Sequence, residues 1–326
     1  MLKNKIEVLS AQVSKPFTLR QILQPIKKTT LIAYLCLAGI CLIWGTTFVV
    51  MKMGIKGFPP FLFAALRQFS AGILLTAWLV VVKRKTIPPL QDLKMLALGG
   101  FLMITLGNGL VSSGLVFVPS SVAAIICSAM PVCVVLLNIT INRSEKPNTM
   151  IVIGVIAGML GILTVFGEHI ADFSEPRYAI GIGLIFVATL SWAVASFLMK
   201  KVNERVNPFM TAGIQMLFGG LFCFPLSYIF DDHATITWSI TSLSTLTYLS
   251  LVGSLTAYAM YSYALAKLRL TIASLYSYIN PLVAVVLGWW ILSEKLNHRI
   301  AVAIAITLFG IYLVNRGYQK LIKSRS

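Results

Sequence analysis

Acidic residues are scarce in this chain: ten in 326, against 27 Lys and Arg. None of the ten lies well inside a long apolar run, so no buried carboxylate pair is available for acid–base chemistry. Charged residues of both signs make up 11%, against about 25% in soluble domains. They sit in short clusters, and no interval between apolar runs would hold a soluble domain. The runs lack an alternating period of two, which excludes a membrane barrel. The five cysteines, Cys36, Cys41, Cys127, Cys133 and Cys223, all fall inside apolar runs with neither metal-ligand nor disulfide spacing. They read as small apolar core residues, and no metal or cofactor is expected. His169, His233 and His298 fall in loops or at a span edge. No catalytic constellation or nucleotide-binding loop accompanies them, so neither an intramembrane enzyme nor ATP-driven transport is expected.

What the chain does have is hydrophobicity, 58% of its residues. A bilayer core about 30 Å thick is crossed by about 20 helical residues. Ten such runs are present: 30–51, 60–82, 95–117, 119–141, 149–167, 178–199, 209–230, 243–265, 271–293 and 299–316. They predict an all-α integral membrane protein of ten transmembrane helices. The tail 1–29 is basic and too polar for a cleavable signal. Phe17, Leu19, Ile22 and Leu23 would let it lie on a membrane surface, but a disordered tail is the plainer reading. The net charge of +17 first brings nucleic acid to mind, yet its distribution argues against that. Twenty-one of the 27 basic residues fall in segments on the side of the two tails, five on the other side, and Arg67 within a span. That bias places both termini, 317–326 included, in the cytoplasm. The partners expected are lipid and a small molecule, with no nucleic acid.

The chain also repeats itself. At an offset of 148, Trp44 matches Trp192, Lys52 matches Lys200, Pro60-Phe61 matches Pro208-Phe209 and Gly72 matches Gly220. Ala123 and Pro131 match Ala273 and Pro281 at 150. The phrase Ser-Glu-Lys-x-Asn begins at Ser144 and again at Ser293. Each copy, 30–167 and 178–316, holds five spans, an odd number. The second copy therefore enters the membrane from the opposite side, an inverted repeat of the kind that supports alternating access.

Trp44-Gly45 in the first span, Lys52, Pro60-Phe61 and Arg67, with the segments from Pro131 to Glu145 and from Pro281 to Glu294, resemble the EamA-type repeat of the drug/metabolite transporter superfamily. The resemblance covers about 290 residues, all but the tail. It implies a central cavity between the halves, lined most closely by the third and fourth spans of each, with the fifth and tenth spans peripheral. It also implies carriage of amino acids, other small metabolites or drugs. Some small multidrug pumps of that superfamily carry a carboxylate in the first span for proton exchange. This chain has Trp44, Thr46 and Thr47 there and no acid, which disfavours that coupling for cationic drugs.

Arg67 is the one charged residue clearly inside a span, seven residues in, so about 10 Å below the outer boundary. An intramembrane ionisable group is a functional candidate by default; a snorkelling structural role is the alternative. Trp44 is expected beside it as a cation–π or gating neighbour. The repeat mates Trp192 and Gln215 make the cavity chemically asymmetric, and Arg67 is the group expected to attract a substrate carboxylate. Pro131 and Pro281 each free the carbonyl four residues earlier, on Cys127 and Ser277, and are hinge candidates. Ser128, Tyr276, Asn280 and Asn108, aligned with Tyr258, complete the expected lining. Gly154 and Gly158 predict close helix packing within one chain rather than dimerisation; a monomer and a homodimer both fit the sequence. The whole reads as a secondary transporter of the bacterial inner membrane, exporting an amino acid or related metabolite, with a drug exporter as the alternative. Glu145 and Glu294, on opposite faces, read as matched corners rather than one acidic site.

Overall fold

Proline marks where helices begin in this chain. Pro60, Pro176 and Pro208 each open a helix, where the missing N–H is one that would be unpaired anyway. The computed structural model describes residues 28–141, 148–166, 175–274, 276–293 and 298–323, and these form helices and turns without a strand. In order they are α1 (Lys28–Gly54), α2 (Pro60–Val82), α3 (Leu90–Gly114), α4 (Ser120–Cys127), α5 (Met130–Ile141), α6 (Thr149–Phe166), α7 (Pro176–Arg205), α8 (Pro208–Phe230), α9 (Ile240–Lys267), α10 (Leu270–Ala273), α11 (Tyr276–Leu292) and α12 (His298–Lys323). Among the described residues, seven segments are long and apolar enough to cross a membrane: α1, α2, α3, Ser120–Leu137, α7, α8 and α9. Shorter apolar stretches, Thr149–Gly158, Tyr276–Leu292 and Ile304–Val314, lie in α6, α11 and α12. Their order follows that of the apolar runs, and the class is that of an all-α membrane protein. Most of the N-terminal tail, both glutamates of the repeated phrase and Lys146 lie outside the described residues.

The fourth and ninth runs are not single helices. α4 stops at Cys127, Ser128 and Ala129 form a turn, and α5 restarts at Met130. Pro131 therefore stands in a first helical turn instead of kinking a continuous span, a position where its missing N–H costs little. Pro281 does lie inside its helix, α11. At each break a serine turns its hydroxyl back on the chain: Ser128 donates to Ile125 O (2.6 Å) and Ser277 to Ser274 O (2.9 Å).

The two halves share geometry as well as sequence. π-helical turns occupy Phe101–Gly109 in α3 and Leu249–Thr256 in α9, starting 148 positions apart. In each a polar side chain reaches the carbonyl five residues back: Asn108 to Met103 O (3.4 Å) and Thr256 to Leu251 O (2.8 Å). The structural mate of Asn108 is therefore Thr256, not Tyr258. Lys52, near the end of α1, donates to the carbonyls of Leu115 and Val118, and Lys200, near the end of α7, to Ala266 O.

Contact between the halves is closest where side chains are smallest, because lipid tails leave helices little hydrophobic reason to associate and packing must supply it. Gly72 of α2 lies against the backbone of Leu217 in α8, and Gly220 of α8 against the backbone of Phe69 in α2. Gly72 and Gly220 are repeat mates, as are Phe69 and Leu217, so one contact is made twice. Gly154 of α6 faces Gly310 of α12, and Gly310 in turn sits over the backbone of Gly158. The G-x-x-x-G thus packs within the chain. Asn148, last residue of the first Ser-Glu-Lys phrase, caps α6 by accepting from Ile151 N (3.0 Å) and donates to Gly317 O of α12 (2.7 Å).

Helix capping separates the halves. Asn207 caps α8 by accepting from Phe209 N and Met210 N (3.0 and 3.2 Å). The equivalent residue before α2 is Pro59, which has no side-chain acceptor. The mated N–H groups, Phe61 and Leu62, go instead to the carboxylate of Asp231 at the end of α8 (3.3 and 2.7 Å). An anion suits a helix N-terminus. Asp231→Ala is expected to lower stability by roughly 0.5–2 kcal/mol, while Asp231→Asn, which keeps an acceptor, costs less. Thermal unfolding in detergent measures both.

Candidate functional site

Residues three and four apart on a helix share a face. Trp44, Thr47, Phe48 and Met51 of α1 form such a stripe, and it lines a cavity at the centre of the molecule. Arg67 and Gln68 of α2, Gly107, Asn108 and Val111 of α3, and Cys127 and Met130 at the α4–α5 break supply the rest of the first half's share. The second half contributes Ala188, Thr189 and Trp192 of α7, Gly253 and Tyr258 of α9, and Tyr276, Ser277 and Asn280 of α11. α6 and α12, packed on each other, take no part. The cavity offers about 90 Å³ to the centres of water-sized spheres, several times what one water needs.

An aromatic cluster forms one end. Trp44 meets Trp192 edge-on at 5.5 Å between ring centroids, Tyr276 at 4.7 Å and Tyr261 at 5.2 Å. Its indole Nε1 donates to Gly253 O across the molecule (2.9 Å). Because Trp44 and Trp192 are repeat mates, their contact lies where the two halves meet on equal terms. Towards the tails, Tyr261 pairs with Ser196 Oγ (2.7 Å) and Tyr258 donates to Gln215 Oε1 (2.8 Å). Away from the tails, Thr46 pairs with Tyr248 (2.7 Å).

Arg67 is 3% exposed. Its Nη2 donates to Asn108 Oδ1 (2.5 Å), while Nε and Nη1 have no hydrogen-bond partner among the described residues, nor does Gln68 Oε1. Trp44 lines the same cavity but makes no cation–π pair with Arg67 among the described residues. The cation–π pairs among the described residues are Lys83 with Trp78 and Arg316 with Tyr312, and Trp44 spends its ring on the aromatic cluster. No Asp or Glu is among the described residues that line the cavity.

The sequence-expected lining divides clearly. Trp44, Arg67, Asn108, Trp192, Tyr258, Tyr276 and Asn280 converge on the cavity. Asn280, with its amide nitrogen turned towards them, donates to Tyr276 O and Cys41 O (2.9 and 3.1 Å). Gln215 stands behind Tyr258 as its acceptor. Ser128 is buried elsewhere, beside Tyr278 and Pro281 in a minor crevice, and Pro131 and Pro281 do not line the central cavity. Cys127 and Ser277, whose carbonyls the prolines were expected to free, do line it. Thr47, Phe48, Met51 and Gln68 were missed. The helical period from Trp44 points to the first three, and nothing in the sequence separates Gln68 from other polar residues near a helix start.

Comparison with known proteins accords with this architecture. The model of the EamA-like transporter family matches twice, over residues 31–167 and 179–316. YedA, an uncharacterized inner membrane transporter of Escherichia coli, is 31% identical over 285 residues, covering 86% of this chain and 90% of its own. YoaV, an uncharacterized transporter of Bacillus subtilis, is 25% identical over 84% of this chain and 94% of its own. A solved crystal structure at 18% identity shares the fold, with a TM-score of 0.65 over 88% of this chain and 96% of that one. With both halves matched and its helices built for a bilayer, the chain belongs to the EamA-like transporter family and is a multi-pass membrane transporter.

Proposed function

We propose that this chain is a secondary carrier of the bacterial inner membrane that moves a small metabolite outward, an amino acid or a related compound, by alternating access. The observation that carries the reading is the central cavity walled by both halves, with the Tyr261–Ser196 and Tyr258–Gln215 bonds on the side of the tails. Two halves in inverted orientation can exchange shapes, so a cavity between them can open to either side in turn. The basic bias of the tail side puts that side in the cytoplasm, and the inner-membrane name of the E. coli relative supports the location. The aromatic lining favours one second reading, export of amphipathic toxic compounds. Purified protein in liposomes, loaded with a panel of labelled metabolites, tests both. Release above protein-free liposomes, without lipid turnover, is the expected result, and no release of any compound would sink the carrier reading.

A further inference from the structure

Among the described residues that line it, the central cavity holds one formal charge, on Arg67, and no carboxylate to balance it. Arg67 is buried, uses one donor on Asn108, and leaves Nε and Nη1 without partners. The nearby acid Asp231 is committed to the α2 N-terminus. The described ion pairs, Lys200–Glu204 and Arg205–Asp92, involve residues near the tail-side end of α7. At the mated position the second half has Gln215, neutral and bonded to Tyr258. A buried cation without a counter-charge is costly in a membrane interior, and a guanidinium with free donors suits a carboxylate. The same cavity is lined by the apolar and aromatic side chains of Trp44, Phe48, Met51 and Tyr276.

We infer that the cavity takes an organic monoanion: one carboxylate on Arg67, an uncharged apolar or aromatic body against Trp44 and Tyr276, and no ammonium group. This rests on the carrier reading and narrows it, from amino acids towards their uncharged-body acid counterparts. The ligand is then the missing counter-ion. The loaded cavity is neutral and the empty one cationic, so the loaded form crosses between its two openings more readily. Exchange of one anion for another outpaces net release.

Three solutes with one aromatic ring and different charge test this: phenylpropionate, phenylalanine and phenethylamine. Binding is followed by tryptophan fluorescence, and flux in liposomes against protein-free controls. Phenylpropionate is expected to bind at least tenfold more tightly than the other two. Its uptake should rise roughly tenfold or more when the same anion is inside, and that exchange should ignore an imposed membrane potential. Arg67→Gln, which installs the residue already present at the mated position, is expected to weaken phenylpropionate binding roughly 10- to 100-fold. Arg67→Lys restores part of it, which a purely structural role would not predict. Equal binding of phenethylamine or phenylalanine overturns the proposal, as does net flux equal to exchange. Binding of phenylpropionate without flux of any solute keeps the anion site and overturns the carrier reading. No binding of phenylpropionate overturns the site.

Discussion

Gly72→Ala is expected to destabilise the protein by about 3 kcal/mol or more, the upper range for overpacking. A Cβ at Gly72 would sit 2.7 Å from Leu217 Cα and 2.8 Å from Met216 C. Those are helix backbone atoms, which cannot rotate aside as a side-chain tip does. α2 and α8 would have to separate along their crossing. Gly220→Ala meets Phe69 Cα at 2.8 Å and should cost a similar amount. The double variant should cost less than the sum, since the first substitution already opens the crossing. Gly183 is the control: a Cβ there meets nothing within 4 Å. Gly183→Ala should be neutral or gain up to about 1 kcal/mol from helix propensity. Reversible unfolding in mixed micelles reads all four. A Gly72→Ala protein that unfolds alongside Gly183→Ala would show the crossing to be looser than described.

Trp44→Ala is the second large effect. It removes the ring that touches Trp192, Tyr261 and Tyr276 at once, and it strips the Gly253 carbonyl of its donor. Emptying such a site costs about 3–5 kcal/mol. Trp44→Phe keeps an aromatic ring and loses the hydrogen bond, so about 1–2 kcal/mol is expected. Transport should separate the variants further. Trp44→Ala removes the centre of the cluster at one end of the cavity, and flux in liposomes should fall at least tenfold. Equal flux in Trp44→Ala and the parent would show that the cluster supports the fold without holding the substrate.

Much of this architecture was legible because it is periodic. Runs of apolar residues of bilayer length announce helices, and Trp, Lys, Pro-Phe and Gly recurring at one offset announce two copies. The breaks at Ser128–Ala129 and at Ser274 were not legible. A continuous apolar run and a broken one have the same hydropathy, and proline is compatible with a kink or a helix start. Pro131 takes the second option, while Pro281 stands inside its helix. Asn108 was paired with Tyr258 because a loop-length difference shifts the alignment by two residues; the π-helical turns show that the shift comes later in the chain. In the cavity, a charge or an amide inside an apolar run stands out, which points to Arg67 and Asn108, and Trp192 follows from Trp44 through the repeat. Thr47, Phe48 and Met51 are unremarkable as residue types and become lining only through their register with Trp44. The borrowed cap was out of reach, because Asp231 and Phe61 are 170 positions apart.

The doubled glycine contact between α2 and α8 has the form of an isologous interface, in which one patch meets a copy of itself across a two-fold axis. A half-length chain bearing that patch would carry its own complement, but could dock only on a copy threaded through the bilayer the other way. Such a homodimer demands that one sequence insert in both orientations, which a fixed charge bias forbids. Joining the copies end to end removes the conflict if each carries the odd number of spans that the apolar runs predict, because the second copy is then flipped. It also releases each copy from serving both positions. Arg67 in one copy where the other has Gln215, and Asp231 supplying a cap that Pro59 lacks, are differences that a true homodimer could not have.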